Sequence, residues 1–261
     1  MRHTRRDCSP SWSTKALVGA IARSGIAATL FIASGCVPRT RVVEQHGTMK
    51  EVLRDGRTEP RFDLEEIEAG SGVVAVGAMA DLQGEVTILD GVAVISRVRA
   101  GALESSGAGP GDRATLLILA RVEEWVGVVL DGEGPLEGAA LEDAIERSAG
   151  EAGSNLANPF PFVIEGVMRE ADWHVINGAC PMATPAGAMG DRSPWREHGG
   201  AGSAGRLVGF FARDSEGVMT HHGSRVHMHV LFRRADGVVT GHVDQVAVEA
   251  GATLRLPAAW R

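Results

Sequence analysis

Residues 226–248, VHMHVLFRRADGVVTGHVDQVAV, decide both the predicted fold and the predicted site of this chain. Two runs rich in Val and Leu flank Asp236-Gly237, a dipeptide that is typical of a two-residue hairpin turn. We therefore predict antiparallel strands over residues 226–232 and 238–248, with Ala235 paired with the first residue of the second strand. This pairing fixes which side chains of the hairpin share a face.

Three histidines are predicted to lie on one face of the hairpin. Side chains two apart in a strand point the same way, so His227 and His229 share a face. The predicted register places His242 opposite Leu231, which lies on that same face. Three imidazoles on one sheet face form a three-nitrogen site with open positions, an arrangement that suits Zn²⁺ or another divalent metal.

Other polar residues near the hairpin leave alternatives open. Asp244 lies opposite His229 in the predicted register, where its carboxylate is expected to accept a hydrogen bond from the ring N–H of a metal-bound histidine. His221 and His222 precede the first strand, and because neighbours in an extended segment face opposite ways, at most one could join the site or displace the third ligand. His174 is predicted to be a half-buried structural histidine. The alternative for the hairpin histidines is that they are partly exposed polar residues without a metal.

The rest of the body predicts a β-dominated α+β fold with two apposed mixed or antiparallel sheets and few helices. Short runs rich in Val, Ile and Leu follow one another, separated mostly by Gly or Asp-Gly turns, of which Asp90-Gly91 is a predicted tight hairpin turn. The predicted strands outside the histidine hairpin are 73–76, 85–89, 92–98, 114–120, 125–130, 162–168, 173–176 and 207–212.

Helices are predicted at only three places. Residues 49–54 follow Thr48, a good N-cap, and residues 63–68 form a further helical turn. The pattern over residues 141–149 is amphipathic. The Gly- and Ser-rich stretch 199–205 is a loop or a seam, from which we predict an N-terminal α/β subdomain over 47–198 and a C-terminal antiparallel sheet over 206–261 that carries the metal-binding hairpin.

The N-terminus is predicted to be a targeting segment. A basic stretch ends at Arg23, an apolar run covers residues 24–33, and small residues lead to Cys36. This resembles a bacterial lipoprotein signal, so residues 1–35 are expected to be removed, Cys36 to be lipidated and residues 36–46 to be a linker. The uncharged run between Arg23 and Arg39 has only 15 residues, fewer than the roughly 20 of a spanning helix. We expect an exported protein, attached to the envelope membrane only through the lipid, or secreted.

Composition excludes several classes of protein. The 261 residues are 44% hydrophobic and 23% charged, which excludes a disordered chain and a collagen-like repeat. The net charge is −7 and the signal segment is basic, so the body is still more acidic and we expect no nucleic-acid partner. After processing, Cys180 would be the only thiol, which leaves no disulfide framework.

Three stretches together resemble the α-acetolactate decarboxylase family. Residues 77–91, GAMADLQGEVTILDG, are similar to the family's Gly-x-x-x-x-Leu-x-Gly-Glu-x-x-x-x-Asp-Gly signature. Residues 208–211, VGFF, lead into the His-x-His pair, and Gly241-His242 follows. With weaker similarity at both ends, the resemblance spans residues 45–257.

The resemblance implies a two-part α/β protein whose sheets meet at a cleft, with one zinc ion held by His227, His229 and His242. The implied substrate is 2-acetolactate, a 2-hydroxy-3-oxo acid that loses CO₂ to give acetoin. Glu85 matches the Gly-Glu of the signature, which implies that it protonates the intermediate or orients the substrate.

The sequence departs from the family pattern in three ways. His229 and His242 are 13 residues apart, two more than in the family, and an even difference preserves the strand face. Where the family has an arginine for the substrate carboxylate, this chain has Val163, and Arg169 is the nearest alternative. The chain also ends at Arg261, without the family's C-terminal tail and its acidic residue.

Three functions are therefore compatible with the sequence. The first is a zinc-dependent decarboxylase of 2-acetolactate or a related 2-hydroxy-3-oxo acid. The second is a non-catalytic metal-binding envelope lipoprotein that retains the fold. The third is a cupin-like metal oxygenase, because a histidine hairpin with a nearby glutamate also suits iron. The oligomeric state is left open, with a homodimer as one alternative.

Overall fold

A computed structural model describes residues 42–180, 184, 186–199, 202–258 and 260. The predicted signal peptide and Cys36 lie outside the described residues, as does most of the predicted linker. Within the described part of the chain, no helix is both long enough and apolar enough to cross a membrane.

The described chain is dominated by β-strands in two sheets, which confirms the predicted fold class. The strands of the first sheet are β1 (Glu44–His46), β2 (Phe62–Asp63), β3 (Val73–Met79), β4 (Glu85–Leu89), β5 (Val92–Arg99), β6 (Ala102–Ser106) and β7 (Arg113–Arg121). The strands of the second are β8 (Trp125–Leu130), β9 (Leu136–Glu137), β10 (Phe160–Val175), β11 (Trp195–Glu197), β12 (Ser203–Phe211), β13 (Val226–Arg234), β14 (Gly237–Val248) and β15 (Ala252–Pro257).

Helical segments are short except for one. The α-helices are α1 (Gly138–Glu151) and α2 (Ala186–Met189), and single helical turns lie at Lys50–Arg54, Leu64–Glu66, Ala80–Leu82 and Gly190–Arg192. The three predicted helical regions are confirmed in position. The first begins with a capping box, in which Thr48 Oγ1 accepts from the Glu51 backbone N–H and the Glu51 carboxylate accepts from the Thr48 backbone N–H.

The first sheet has the strand order β1-β7-β3-β4-β5-β6, with β2 paired to β7. Leu89 pairs with Val92, so Asp90-Gly91 is the predicted two-residue turn. Both turn residues have left-handed backbone angles, with φ of 52° and 73°, as a type I′ turn requires. This turn holds β4, the strand that begins with Glu85, against β5.

The second sheet is organised by the long strand β10. Its first half pairs with β12 and β15, and its second half pairs with β14 and β11. Because β12 pairs with β13 and β13 with β14, these four strands form a closed ring. The strands predicted over 162–168 and 173–176 are confirmed to within one residue as parts of β10. Only the break between them is wrong, since the polar residues there continue the strand with irregular pairing after Met168 and Asp172.

The predicted division at residues 199–205 does not match the sheets. The chain passes from the first sheet to the second between Arg121 and Trp125, so β10 lies in the same sheet as the histidine hairpin. The Gly- and Ser-rich stretch leads directly into β12, which begins at Ser203. The stretch therefore lies between two strands of the same sheet. The prediction failed because a Gly- and Ser-rich composition indicates a loop but does not indicate which sheet the flanking strands join.

The two sheets pack against each other through a shared apolar core. Side chains of β3 and β7, such as Val76 and Ile118, cluster with Phe162 of β10 and Val230 of β13, and all four are fully buried. Helix α1 adds Leu141 and other buried side chains to this cluster. The packing brings β4 and β5 against β14, which carries one histidine of the hairpin.

The histidine hairpin has a register that differs by two residues from the predicted one. Arg234 pairs with Gly237, so Ala235-Asp236 forms the turn, and His229 lies directly opposite His242. The predicted pairings of His242 with Leu231 and of Asp244 with His229 are therefore wrong. An even shift moves partners along the strand but leaves every side chain on its face, so the predicted common face of the histidines is preserved.

Candidate metal centre

Three buried histidines converge between β13 and β14. His227, His229 and His242 offer ring nitrogens that all lie within 4.8 Å of one another. Their ring centroids are separated by 5.3 Å (His227–His229), 4.9 Å (His227–His242) and 5.6 Å (His229–His242). A group of this kind, with small ring movements, can hold one divalent ion.

Hydrogen bonds orient two of the rings. The Nδ1 atom of His227 is 3.1 Å from the Met219 carbonyl oxygen, to which it donates, so its Nε2 carries the lone pair. The Nδ1 atom of His229 is 3.0 Å from Thr87 Oγ1, which is 2.6 Å from Thr240 Oγ1. Backing groups of this kind fix the ring orientation of metal-bound histidines.

The remaining nitrogen of His229 gives an independent test of whether the residues fit a metal. His229 Nε2 is completely buried and has no hydrogen-bond partner among the described residues. A buried unpaired nitrogen costs free energy unless another ligand satisfies it. A metal ion held with His227 and His242 would satisfy it, so the donor set fits a metal.

The environment keeps the three imidazoles neutral, as metal ligands must be. Burial lowers the pKa of His227 to about 3, with a further contribution from His221. Burial also lowers the pKa of His229 and of His242 well below the usual value, and the neighbouring rings act in the same direction. Metal binding therefore does not have to displace a proton from any of the three near neutral pH.

Glu85, the predicted catalytic residue, lies beside this group. Its side chain is buried, and its Oε2 is 3.7 Å from His229 Nε2. Burial raises the pKa of Glu85 well above its usual value; a hydrogen bond with the backbone of Ile176 opposes this, and the charge of Asp244 adds to it. In the absence of a metal ion, burial therefore favours the protonated form of Glu85, next to the histidines.

The Gly-Glu pair of the sequence signature has a steric reason. Gly84 has φ of +127°, and a Cβ at this position would lie 2.3 Å from the Ser96 carbonyl oxygen. Only glycine permits this close approach of β4 to β5. The glycine thereby sets the position at which Glu85 enters the cavity.

A cavity of about 720 Å³ adjoins the histidines. Glu85, His227 and His242 line it, together with acidic side chains on its walls, namely Glu137, Glu142, Glu170, Asp172 and Asp244. Neither lysine nor arginine is among the described residues that line it. The described walls therefore supply no cationic side chain for an anionic ligand.

Asp244 contacts a different histidine from the one predicted. Its two carboxylate oxygens each lie 2.9 Å from His174 Nδ1, and Oδ2 accepts a bond of 2.8 Å from Arg196. Burial raises the pKa of Asp244, but His174 and Arg196 outweigh it and hold this pKa below its usual value. The predicted contact with a ligand imidazole is absent from the described hydrogen bonds because the register is shifted by two residues.

His174 lies closer to the site than the sequence indicated. It is buried rather than half-buried, it lines the cavity, and its ring centroid is 5.3 Å from that of His242. The pairing of β10 with β14, which places His174 opposite His242, creates this contact. A pairing between strands nearly 70 residues apart leaves no local signal in the sequence.

The adjacent pair His221-His222 separates as the alternation argument predicted. The His221 ring lies 4.9 Å from the His242 ring and 6.3 Å from the His227 ring, measured between centroids. His222 is exposed, and its Nδ1 is 3.0 Å from a carboxylate oxygen of Glu216. His242 is not displaced, since it belongs to the group of converging nitrogens.

Arg169 does not take the place of the family's arginine. Its side chain is exposed, its Nε lies 4.0 Å from a Glu249 carboxylate oxygen, and it does not line the cavity. Val163, at the position that aligns with that arginine, is completely buried in the apolar core. The weakly predicted substrate contact of Arg169 is therefore wrong for this structure.

Comparison with solved structures relates this fold to known proteins. α-Acetolactate decarboxylase from Bacillus subtilis strain 168 is 20% identical, with a TM-score of 0.61 over 82% of this chain and 84% of that one. Acetolactate decarboxylase from Bacillus subtilis subspecies spizizenii is 20% identical, with a TM-score of 0.60 over 82% of this chain and 85% of that one. A Staphylococcus aureus protein of unknown function, similar to α-acetolactate decarboxylase, is 17% identical, with a TM-score of 0.58 over 82% of this chain and 84% of that one.

Sequence comparisons give no further match. No family model matches the chain, and no curated protein matches it. The structural similarity to the two decarboxylases shows that this chain has the same fold.

Proposed function

We propose that this protein is a metal-dependent decarboxylase of 2-acetolactate or a related 2-hydroxy-3-oxo acid, which it converts to acetoin or an analogue and CO₂. The observation that carries the proposal is the convergence of three buried histidines beside the buried carboxyl group of Glu85, at a cavity that Glu85, His227 and His242 line. The likeness of fold to acetolactate decarboxylases supports it.

His227, His229 and His242 would hold Zn²⁺ or another divalent ion. Such an ion supplies Lewis-acid stabilisation of oxygen atoms that gain negative charge during the reaction, and it adds positive charge to an otherwise acidic cavity.

Glu85 is assigned the proton transfer. Loss of CO₂ breaks a carbon–carbon bond and leaves the electron pair on the substrate, and the product forms when that carbon takes up a proton. The buried carboxyl of Glu85 lines the cavity and its burial favours the protonated form, so it would supply this proton. Its fixed position beside one wall would deliver the proton to one face of the carbon.

Thr87 and Thr240 have a supporting role. Their hydroxyl groups form a chain behind the His229 ring, on the side away from Glu85. This chain would keep Nε2 of His229 directed towards Glu85 and the other two rings during turnover.

The test is the rate of acetoin formation from racemic 2-acetolactate by the purified protein, above the spontaneous rate. We expect the rate to fall to background with a chelator and in His227→Ala, and to persist in His222→Ala, whose ring is exposed. Metal-loaded wild-type protein that forms no acetoin or analogue from any 2-hydroxy-3-oxo acid would refute the proposed activity.

A second candidate is a metal-binding protein without catalytic activity. The absence of lysine and arginine from the described cavity walls favours it, because a carboxylate substrate would meet five acidic side chains besides Glu85. This candidate predicts that metal raises the thermal stability of the protein while no decarboxylation is detected in the same sample.

We further propose that the protein is exported and anchored through a lipid on Cys36. The support is the sequence pattern alone, with its basic stretch, apolar run and cysteine. Full-length protein from a bacterial host should partition into detergent, whereas Cys36→Ala should remain in the aqueous phase. Equal partition of the two proteins would refute lipidation at this residue.

A further inference from the structure

His221 shares the cavity with the three converging histidines but belongs to a different part of the fold. It lies on the connection from β12 to β13, residues 212–225, which we call the histidine loop. Its ring is in edge contact with His242, at 4.9 Å between centroids and an angle of 74°. Both rings line the same cavity, so a group bound there meets His221 as well.

Ion pairs fasten both ends of the histidine loop to helix α1. At one end, Arg213 pairs with Glu146. At the other, Arg225 pairs with Glu142 at 3.1 Å and with Glu146, and Ser224 donates to Glu142 at 2.7 Å. These bonds join two charged residues of the loop to neighbouring turns of one helix, which limits the movement of the loop ends.

The middle of the histidine loop is bonded to the site itself. The carbonyl oxygen of Met219 accepts the hydrogen bond from His227 Nδ1. The preceding carbonyl, of Val218, accepts from the Met49 backbone N–H at 3.0 Å and from the Gln45 side chain at 2.7 Å. The backbone two residues before His221 is thus tied to a metal ligand, and His221 is held in place next to the site.

The ring of His221 is partly buried and has no hydrogen-bond partner within the described part of the chain. Neither of its nitrogens bonds to another group among the described residues, whereas the exposed ring of His222 pairs with Glu216. An imidazole with no hydrogen-bond partner among the described residues, beside three converging ones, has the chemistry of a ligand.

We infer that His221 is a fourth protein ligand of the metal held by His227, His229 and His242. Its nitrogens lie outside the 4.8 Å group of the other three, so its ring turns about the side-chain bonds when the ion binds, while the anchored backbone stays in place. Zn²⁺ can expand from four to five ligands, so a fourth imidazole leaves room for a substrate atom. The inference rests on the metal site of the proposed function and is independent of decarboxylation.

The experiment compares metal binding by four proteins: wild type, His221→Phe, His222→Phe and His227→Ala. Phenylalanine keeps a ring of similar size and removes the nitrogens, and His222 is the matched control on the same loop. Each metal-free protein is titrated with Zn²⁺ against a coloured chelator, and its Co²⁺ form is examined by visible absorption. Thermal unfolding of the metal-free proteins checks that the variants are folded.

We expect His221→Phe to bind Zn²⁺ at least about tenfold more weakly than wild type. Its Co²⁺ bands should shift, because water replaces an imidazole, and His222→Phe should match wild type in both measurements. In His221→Ala, which also serves if the Phe variant unfolds, added imidazole should restore the wild-type Co²⁺ spectrum. A wild-type affinity and spectrum in both His221 variants would overturn the inference.

The outcomes also separate this inference from the proposed function. Wild-type protein that binds no metal would overturn both the metal site and the role of His221. Metal-loaded protein that forms no acetoin would refute decarboxylation alone, since the His221 comparison is made without substrate.

Discussion

Thr87 offers a sharp test of how the fold prepares the metal site. Its hydroxyl oxygen is 3.0 Å from His229 Nδ1 and 2.6 Å from Thr240 Oγ1, and all three side chains are completely buried. When His229 Nε2 binds a metal, Nδ1 carries the proton and donates to Thr87, which in turn donates to Thr240. Thr87→Val keeps the side-chain shape and removes this relay.

The expected magnitude follows from the groups left without partners. Loss of a backing hydrogen bond lowers metal affinity by about 10- to 100-fold, or about 1.4–2.7 kcal/mol. The variant also leaves His229 Nδ1 and Thr240 Oγ1 buried and unpaired, which costs about 1–3 kcal/mol of unfolding free energy for each group. Thr240→Val is the matched control, because it removes one hydroxyl of the relay and leaves the Thr87–His229 bond.

The assay is competitive Zn²⁺ titration combined with urea unfolding of the metal-free proteins. Thr87→Val should lose both affinity and stability, and Thr240→Val should lose stability with a much smaller change in affinity. Equal Zn²⁺ affinity in wild type and Thr87→Val, with the expected loss of stability, would refute the role of the relay in orienting the ligand.

Three further predictions follow from the site. Glu85→Gln should retain metal binding and lower the rate of acetoin formation by about 10²- to 10⁴-fold, because the amide cannot deliver a proton; an unchanged rate would remove Glu85 from the mechanism. Gly84→Ala should destabilise the protein by more than about 1 kcal/mol in urea unfolding, because its Cβ would meet the Ser96 carbonyl, and by more than Gly101→Ala, where φ is also positive but the space is open. Zn²⁺ at about 100 times its Kd should stabilise wild type by about 2.7 kcal/mol, measured by thermal unfolding, and should leave His229→Ala unchanged; equal stabilisation of both would place the ion elsewhere.

Properties with a local cause could be predicted from the sequence. Strict alternation places His227 and His229 on one face of β13, and His242 stayed on that face because the error in the predicted register was an even number of residues. The Asp90-Gly91 turn was also correct, because the dipeptide itself determines the backbone angles.

Properties that depend on distant pairing could not be predicted. The contact of His174 with Asp244 arises where the second half of β10 closes against β14, and the polar residues Arg169 and Glu170 gave the false appearance of a break in that strand. The division of the chain at residues 199–205 was wrong for the same reason. A glycine-rich loop gives no information about which sheet receives the strands on either side.

The placement of His221 beside the site could be predicted only in part from the sequence. Alternation predicted that at most one of His221 and His222 could join the site, and the His221 ring is the one that lies against His242. Which of them does so depends on the anchoring of the histidine loop by Arg225 and by the Met219 carbonyl, and these contacts join segments that are far apart in the sequence or outside any regular pattern.

The proposed function depends on His227, His229 and His242 binding one metal ion together. The most direct measurement is a crystal structure of the Zn²⁺-loaded protein with anomalous data at the zinc edge. We expect a single strong peak at about 2.0–2.1 Å from one nitrogen of each of these three rings. A map without a peak there, or with zinc bound only at other residues, would contradict it.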